Sequence, residues 1–250
     1  GTYSATFAAD TITIDGNVTA SGAGKELVFG ADSSQQLTVD GAIAVDGGAS
    51  IAIVSDDANV GSLNVDANSS LIASGTQITA TNGAIDVVGA LWFGGINPKP
   101  ENGLIVENTN NLTLKSDNAQ VEIGGALDLG AGNTLTLDAA NSSVIANGNI
   151  TAGGILNANA QNINMGNITN TGTTTLVATD TVNLGNVATN SGNLNITANG
   201  TTNPNVVLGG MTVASGAVVN IGSDEILNVK SSGDIVVSGN ISQGNQSGAL

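Results

Sequence analysis

INMGNITNTG at residues 163–172 returns as VNLGNVATNSG at residues 182–192, with one residue inserted before the closing glycine. In each copy two apolar side chains flank a single polar one, Gly and Asn follow, and a third apolar residue comes next. Alternation with period two is the signature of a strand that buries one face and wets the other. Gly and Asn reach left-handed backbone angles at low cost, so the pair reads as a corner where the strand bends. The unit is therefore strand, corner, strand, loop.

The same unit extends in both directions. It occurs as ITIDGNV (residues 12–18), LTVDGAIAV (37–45), VEIGGALDL (121–129), VVLGGMTV (206–213) and IVVSGNI (235–241). Looser copies are VGSLNV (60–65), VVGALWF (87–93) and VIANGNI (144–150). Gly16, Gly41, Gly61, Gly89, Gly124, Gly148, Gly166, Gly185, Gly209 and Gly239 take the central position, about 25 residues apart on average and about 19 between Gly166 and Gly185. Alternating pairs such as Leu135 with Leu137 and Leu194 with Ile196 occur throughout, and no stretch carries a helical period. A repeat of this length cannot bury its apolar face alone, so successive units must stack. The expected fold is all-β, a parallel β-helix (β-solenoid) with coils of roughly 20–25 residues. About 10–11 coils rising about 4.8 Å each would make a rod roughly 50 Å long.

Composition agrees with a narrow interior. Apolar residues make up 40% of the 250 residues but aromatics only 2%, so the core must be built from Ile, Val, Leu and Ala. With 20 acidic and 4 basic residues the net charge is −16, which repels phosphate backbones and makes nucleic acid a poor partner. Cysteine and histidine are absent, which removes the usual nucleophilic triads and zinc sites. No apolar run approaches the roughly 20 residues that span a bilayer, so no direct membrane insertion is expected. Residues 1–250 read as one continuous solenoid segment of a longer chain, since GNISQGNQSGAL repeats the motif up to Leu250 without a cap.

The text of residues 145–200, with strings such as GNITAGGILNANAQNINMGNITNTG and TVNLGNVATNSGNLNITANG, resembles the filamentous-haemagglutinin-like exoproteins and autotransporter passengers of Gram-negative bacteria. As a repeat style the resemblance covers most of the chain. It implies a right-handed β-helix, secretion to the cell surface, and a part in attachment, biofilm or surface coating. Two signatures are missing. The secretion-domain motif NPNG is not met, because Asn203, Pro204 and Asn205 lead into Val206, and no calcium-binding GGxGxD repeat occurs.

One stretch breaks the pattern. LWFGGINPKPENG at residues 91–103 holds the only Trp, one of three Phe and two of three Pro, with Lys99 near Glu101. Proline cannot donate to a central ladder, so the segment reads as a loop excursion. Trp92 and Phe93 are the candidate contact for a surface glycan or protein partner, against the ordinary alternative that they plug a wider coil. Asp56 and Asp57, with Ser55 and Asn59 nearby, form the oxygen-rich cluster that calcium would take, and a solvated turn accounts for them equally. No other metal or cofactor is expected. Asp40, Asp46 and Asp66 read as turn residues. A hydrolase of polysaccharides would need paired carboxylates over one cleft, and a lyase would need basic residues that four scattered lysines do not provide. A non-catalytic shaft or display scaffold is expected, with a self-assembling filament or surface-layer subunit as the alternative and a β-helix hydrolase as the less favoured one.

Overall fold

The computed structural model describes residues 3–30, 36–54, 57–66, 69–73, 77–81, 83–87, 90–93, 104–106, 111–200, 206–221, 227–229, 236–237 and 240–243. Its described residues form strands, turns and bends with no helix, and every strand pairing is parallel, as expected from the alternation. The chain winds as a β-solenoid of about 21 residues per turn.

Each turn lays strands on three faces. The first face begins with Tyr3–Phe7, the second with Thr11–Ile14 and the third with Val18–Ser21; Lys25–Phe29 then pairs back onto Tyr3–Phe7. Later coils repeat the order, often as one strand running around a corner. Thr173–Thr189 covers all three faces, pairing through Thr174 with Leu156, through Val182 with Ile163, and through Val187 with Ile168. Eight coils between Thr11 and Val213 have described side chains on all three faces. The expected ten to eleven coils also drew on the stretches at residues 77–106 and beyond 221, where backbone pairings continue the same ladders.

Alternation is obeyed closely. Thr134–Ala146 runs Leu135, Leu137 and Ala139 inward, each fully buried, with half-buried Thr134, Thr136 and Asp138 between them. Stacking places like on like: Leu112, Leu135 and Leu156 lie in one inward column, and Val121, Val144 and Ile163 in another. Each buried aliphatic side chain is worth roughly 1.5–3 kcal/mol relative to exposure. Since every coil contributes several, the interior is a continuous thin column of Leu, Ile, Val and Ala.

The glycine corners differ from the sequence expectation. Gly16, Gly41 and Gly61 stack where the second face turns into the third, and Gly83 continues that stack, while Gly89 lies outside the described residues. Gly148, Gly166, Gly185 and Gly209 stack where the third face turns into the first, above Gly125. The same strand–Gly–Asn–strand text thus occupies two corners a third of a turn apart. The chemistry required is identical at both. Asn17 Oδ1 accepts from the Ala42 backbone N–H (2.9 Å) at one, and Asn167 Oδ1 accepts from the Asn186 N–H (2.9 Å) at the other. A corner needs a residue without a side chain and an amide to satisfy the next coil, and nothing in that requirement identifies which corner it is.

Candidate functional site

The excursion predicted at residues 91–103 is built on the first face. Ala90–Phe93 is a strand there, paired with Ser70–Ala73 on one side and with Leu104–Val106 on the other. Leu91 and Leu104 are partners only 13 residues apart. Across the same level the second face steps from Gln77 to Thr113 and the third from Ile85 to Val121, 36 residues in each case. The first face therefore gains a strand that the other two lack. Leu91, Trp92 and Phe93, expected in the loop, belong to the ladder, and the loop body at residues 94–103 lies outside the described residues.

Trp92 pairs with Ile72 and Ile105, in a column that joins buried Ala52 (6% exposed) to exposed Asp128, and Phe93 pairs with Ala73 and Val106, in the column of Ile53 and Leu129.

For calcium, Ser55 and Asp56 lie outside the described residues, while Asp57 opens the strand Asp57–Val65 and Asn59 sits exposed within it. Among the described residues no three His, Cys, Asp or Glu side chains gather as a cation cage. The turn aspartates do what such residues commonly do. Asp66 Oδ2 accepts from the Gly47 N–H at 3.1 Å, and Ser69 Oγ accepts from the Gly48 N–H at 3.1 Å, so the turn of one coil is held by side chains of the next.

Outward polar residues form ladders along the axis that sequence reading anticipated only in general terms. Asn183 Nδ2 donates to Asn164 Oδ1 (3.1 Å), Asn167 to Asn149 (3.2 Å), Asn220 to Asn195 (2.7 Å) and Thr181 Oγ1 to Asn162 Oδ1 (2.8 Å). Two others end on acids, Asn147 Nδ2 to Glu122 Oε1 (2.9 Å) and Asn159 Nδ2 to Asp138 Oδ1 (3.0 Å). In all six the later coil donates to the earlier one. A carboxylate can only accept, so Glu122 and Asp138 set the direction of the amides stacked on them.

A shallow groove of about 340 Å³ lies along the corner between the third and first faces, lined by Asn147, Asn164, Met165, Gly166, Asn183 and Gly185, with Leu184 beside them. Lys115 has a raised pKa: its hydrogen bond to Asp117 (2.8 Å) chiefly, with the negative charges of Asp117 and Asp138, lifts it above its ordinary 10.5 against the opposing effect of desolvation. One polar node lies inside the core. Fully buried Thr174 donates through Oγ1 to Asn170 Oδ1 (3.0 Å), Asn170 Nδ2 donates to the Asn193 carbonyl (3.0 Å), and the buried Thr189 Oγ1, one coil above Asn170, has no partner.

No protein-family model, no curated protein and no solved structure matches this chain.

Proposed function

We propose that this chain is a structural shaft or display scaffold of a secreted bacterial cell-surface adhesin, without catalysis of its own. The observation that carries the reading is the continued parallel stacking on three faces, whose register shifts only locally. Parallel ladders on three faces keep like residues in line from Thr11 to Val213, with an aliphatic interior and amide and hydroxyl ladders outside. Such an architecture converts sequence length directly into physical length, because each coil adds one rise and contacts only its neighbours. The repeat text that resembles surface exoproteins, and an acidic surface without arginine or cysteine, fit export to the cell exterior. The partner on this reading is a surface glycan or protein, met at the extra first-face strand that carries Trp92.

Lateral self-association into a filament or surface layer is the second reading. Ile155 (45% exposed) and Val177 (36%) favour it, since they stand outward on the second face of adjacent coils. Electron microscopy of the purified chain separates the two. Isolated rods support the shaft, ordered fibres or sheets support the assembling subunit, and compact globular particles overturn both.

A further inference from the structure

We propose that the corner groove at Asn147, Asn164 and Asn183 is a binding site for a neutral oligosaccharide lying along the solenoid axis. The proposal rests on the display reading above only in supplying what is displayed. The groove exists because of a one-residue difference at one corner. Ala146 pairs with Met165 and Met165 with Leu184 while Gly148, Gly166 and Gly185 stack, so Asn147 is an extra residue in the first coil, and a side chain is present at one end and missing beyond it. The absence is enforced. A Cβ at Gly166 would run into the Gly148 carbonyl oxygen, and one at Gly185 would sit 2.7 Å from Asn167 Oδ1. The floor is therefore backbone, with Met165 and Leu184, 6% and 5% exposed, offering a narrow apolar strip.

The wall determines the ligand class. Asn164 and Asn183 bond to each other once, which leaves one amide N–H₂ and one carbonyl oxygen without a protein partner whichever way the pair is turned. Asn147 spends its N–H₂ on Glu122 and keeps its carbonyl oxygen. The wall thus offers both donors and acceptors to a ligand. A sugar hydroxyl both donates and accepts and matches this pattern. An extended peptide does not, because the corner backbone N–H groups are already used, Gly166 to the Ala146 carbonyl (2.8 Å) and Gly185 to the Gly166 carbonyl (3.1 Å). No cation lines the groove and the chain carries a net charge of −16, so an acidic polymer is disfavoured.

The test titrates the whole chain with neutral homo-oligomers of glucose, mannose, galactose and N-acetylglucosamine, following asparagine side-chain amide signals by NMR. At least one series is expected to shift Asn147, Asn164 and Asn183 with the backbone amides of Gly166 and Gly185. Asn164→Ala combined with Asn183→Ala is expected to weaken that binding tenfold or more while the circular dichroism spectrum stays unchanged. Shifts centred on Ala90–Phe93, equal affinity of the double variant, or no shift of these amides with any series each overturn the groove as a site. Small-angle scattering on the same samples reads rod shape independently, so a failed groove and a failed shaft give different results.

Discussion

Individual residues matter here chiefly where coils touch. Gly192 has φ +70°, and a Cβ there would collide with the Gly172 carbonyl oxygen of the coil beneath; Gly216 has φ +84° with nothing within 4 Å. Both positions carry left-handed strain for any other residue, but only the first adds a backbone clash. Gly216→Ala should cost about 1 kcal/mol and Gly192→Ala at least about 2 kcal/mol, compared by urea unfolding. The internal polar node supplies an opposite pair. Thr189→Val removes a buried hydroxyl without a partner and keeps the shape, so it should be neutral or stabilise by up to about 1 kcal/mol. Asn170→Ala strands the Thr174 hydroxyl and the Asn193 carbonyl and should cost about 2–3 kcal/mol in the same assay. If Thr189→Val destabilises as much as Asn170→Ala, the hydroxyl has a partner and this account of the node is wrong.

Among the elements, core columns and surface ladders differ in energetic weight. Leu137 is fully buried between Leu114 and Ala158 on the second face, so Leu137→Ala should cost about 2–5 kcal/mol. Asn183→Ala removes one half-buried ladder bond and should cost about 1 kcal/mol or less. Thermal denaturation of the two variants tests that ordering. The Lys115–Asp117 pair is a smaller matter, since its side chains are 37% and 41% exposed. The raised Lys115 pKa means that the folded state holds the proton more tightly. Its stabilisation is therefore complete below the ordinary value of 10.5 and is lost as pH rises through the raised value. At this exposure the amount is a few tenths of a kcal/mol. Lys115→Met should leave stability near neutral pH almost unchanged and flatten its decline above about pH 10.5, which unfolding midpoints measured over that range would show.

At the scale of the whole molecule, stability should vary along the axis, since coils interact only with neighbours. Thr134–Ala146, Ile155–Met165 and Thr173–Thr189 are long strands of 13, 11 and 17 residues stacked directly on one another. Near the extra first-face strand the elements shorten to three or four residues, Ile85–Val87, Ala90–Phe93 and Leu104–Val106. Hydrogen exchange should find the slowest amides in the long-strand coils and faster ones at residues 85–106. Uniform protection along the chain would mean that the solenoid unfolds as a single unit.

The sequence by itself determined the all-β class, the parallel stacking and the coil length, because alternation and repeated Gly-Asn corners are local demands that each coil must meet with its own residues. It also marked residues 91–103 as the place where the repeat breaks, since Pro and aromatic residues concentrate there. Three matters only the tertiary structure decided. One is which corner each glycine occupies, as Gly41 and Gly166 satisfy the same local requirement on different edges. Another is that Trp92 and Phe93 lie in a strand of the first face, which depends on the strands above and below them. The third is the groove at Asn147, Asn164 and Asn183, whose members lie in three coils and meet only through stacking. Period and corner chemistry act over a few residues and are written in the chain, whereas register across coils is a relation between residues some 20 apart that only packing establishes.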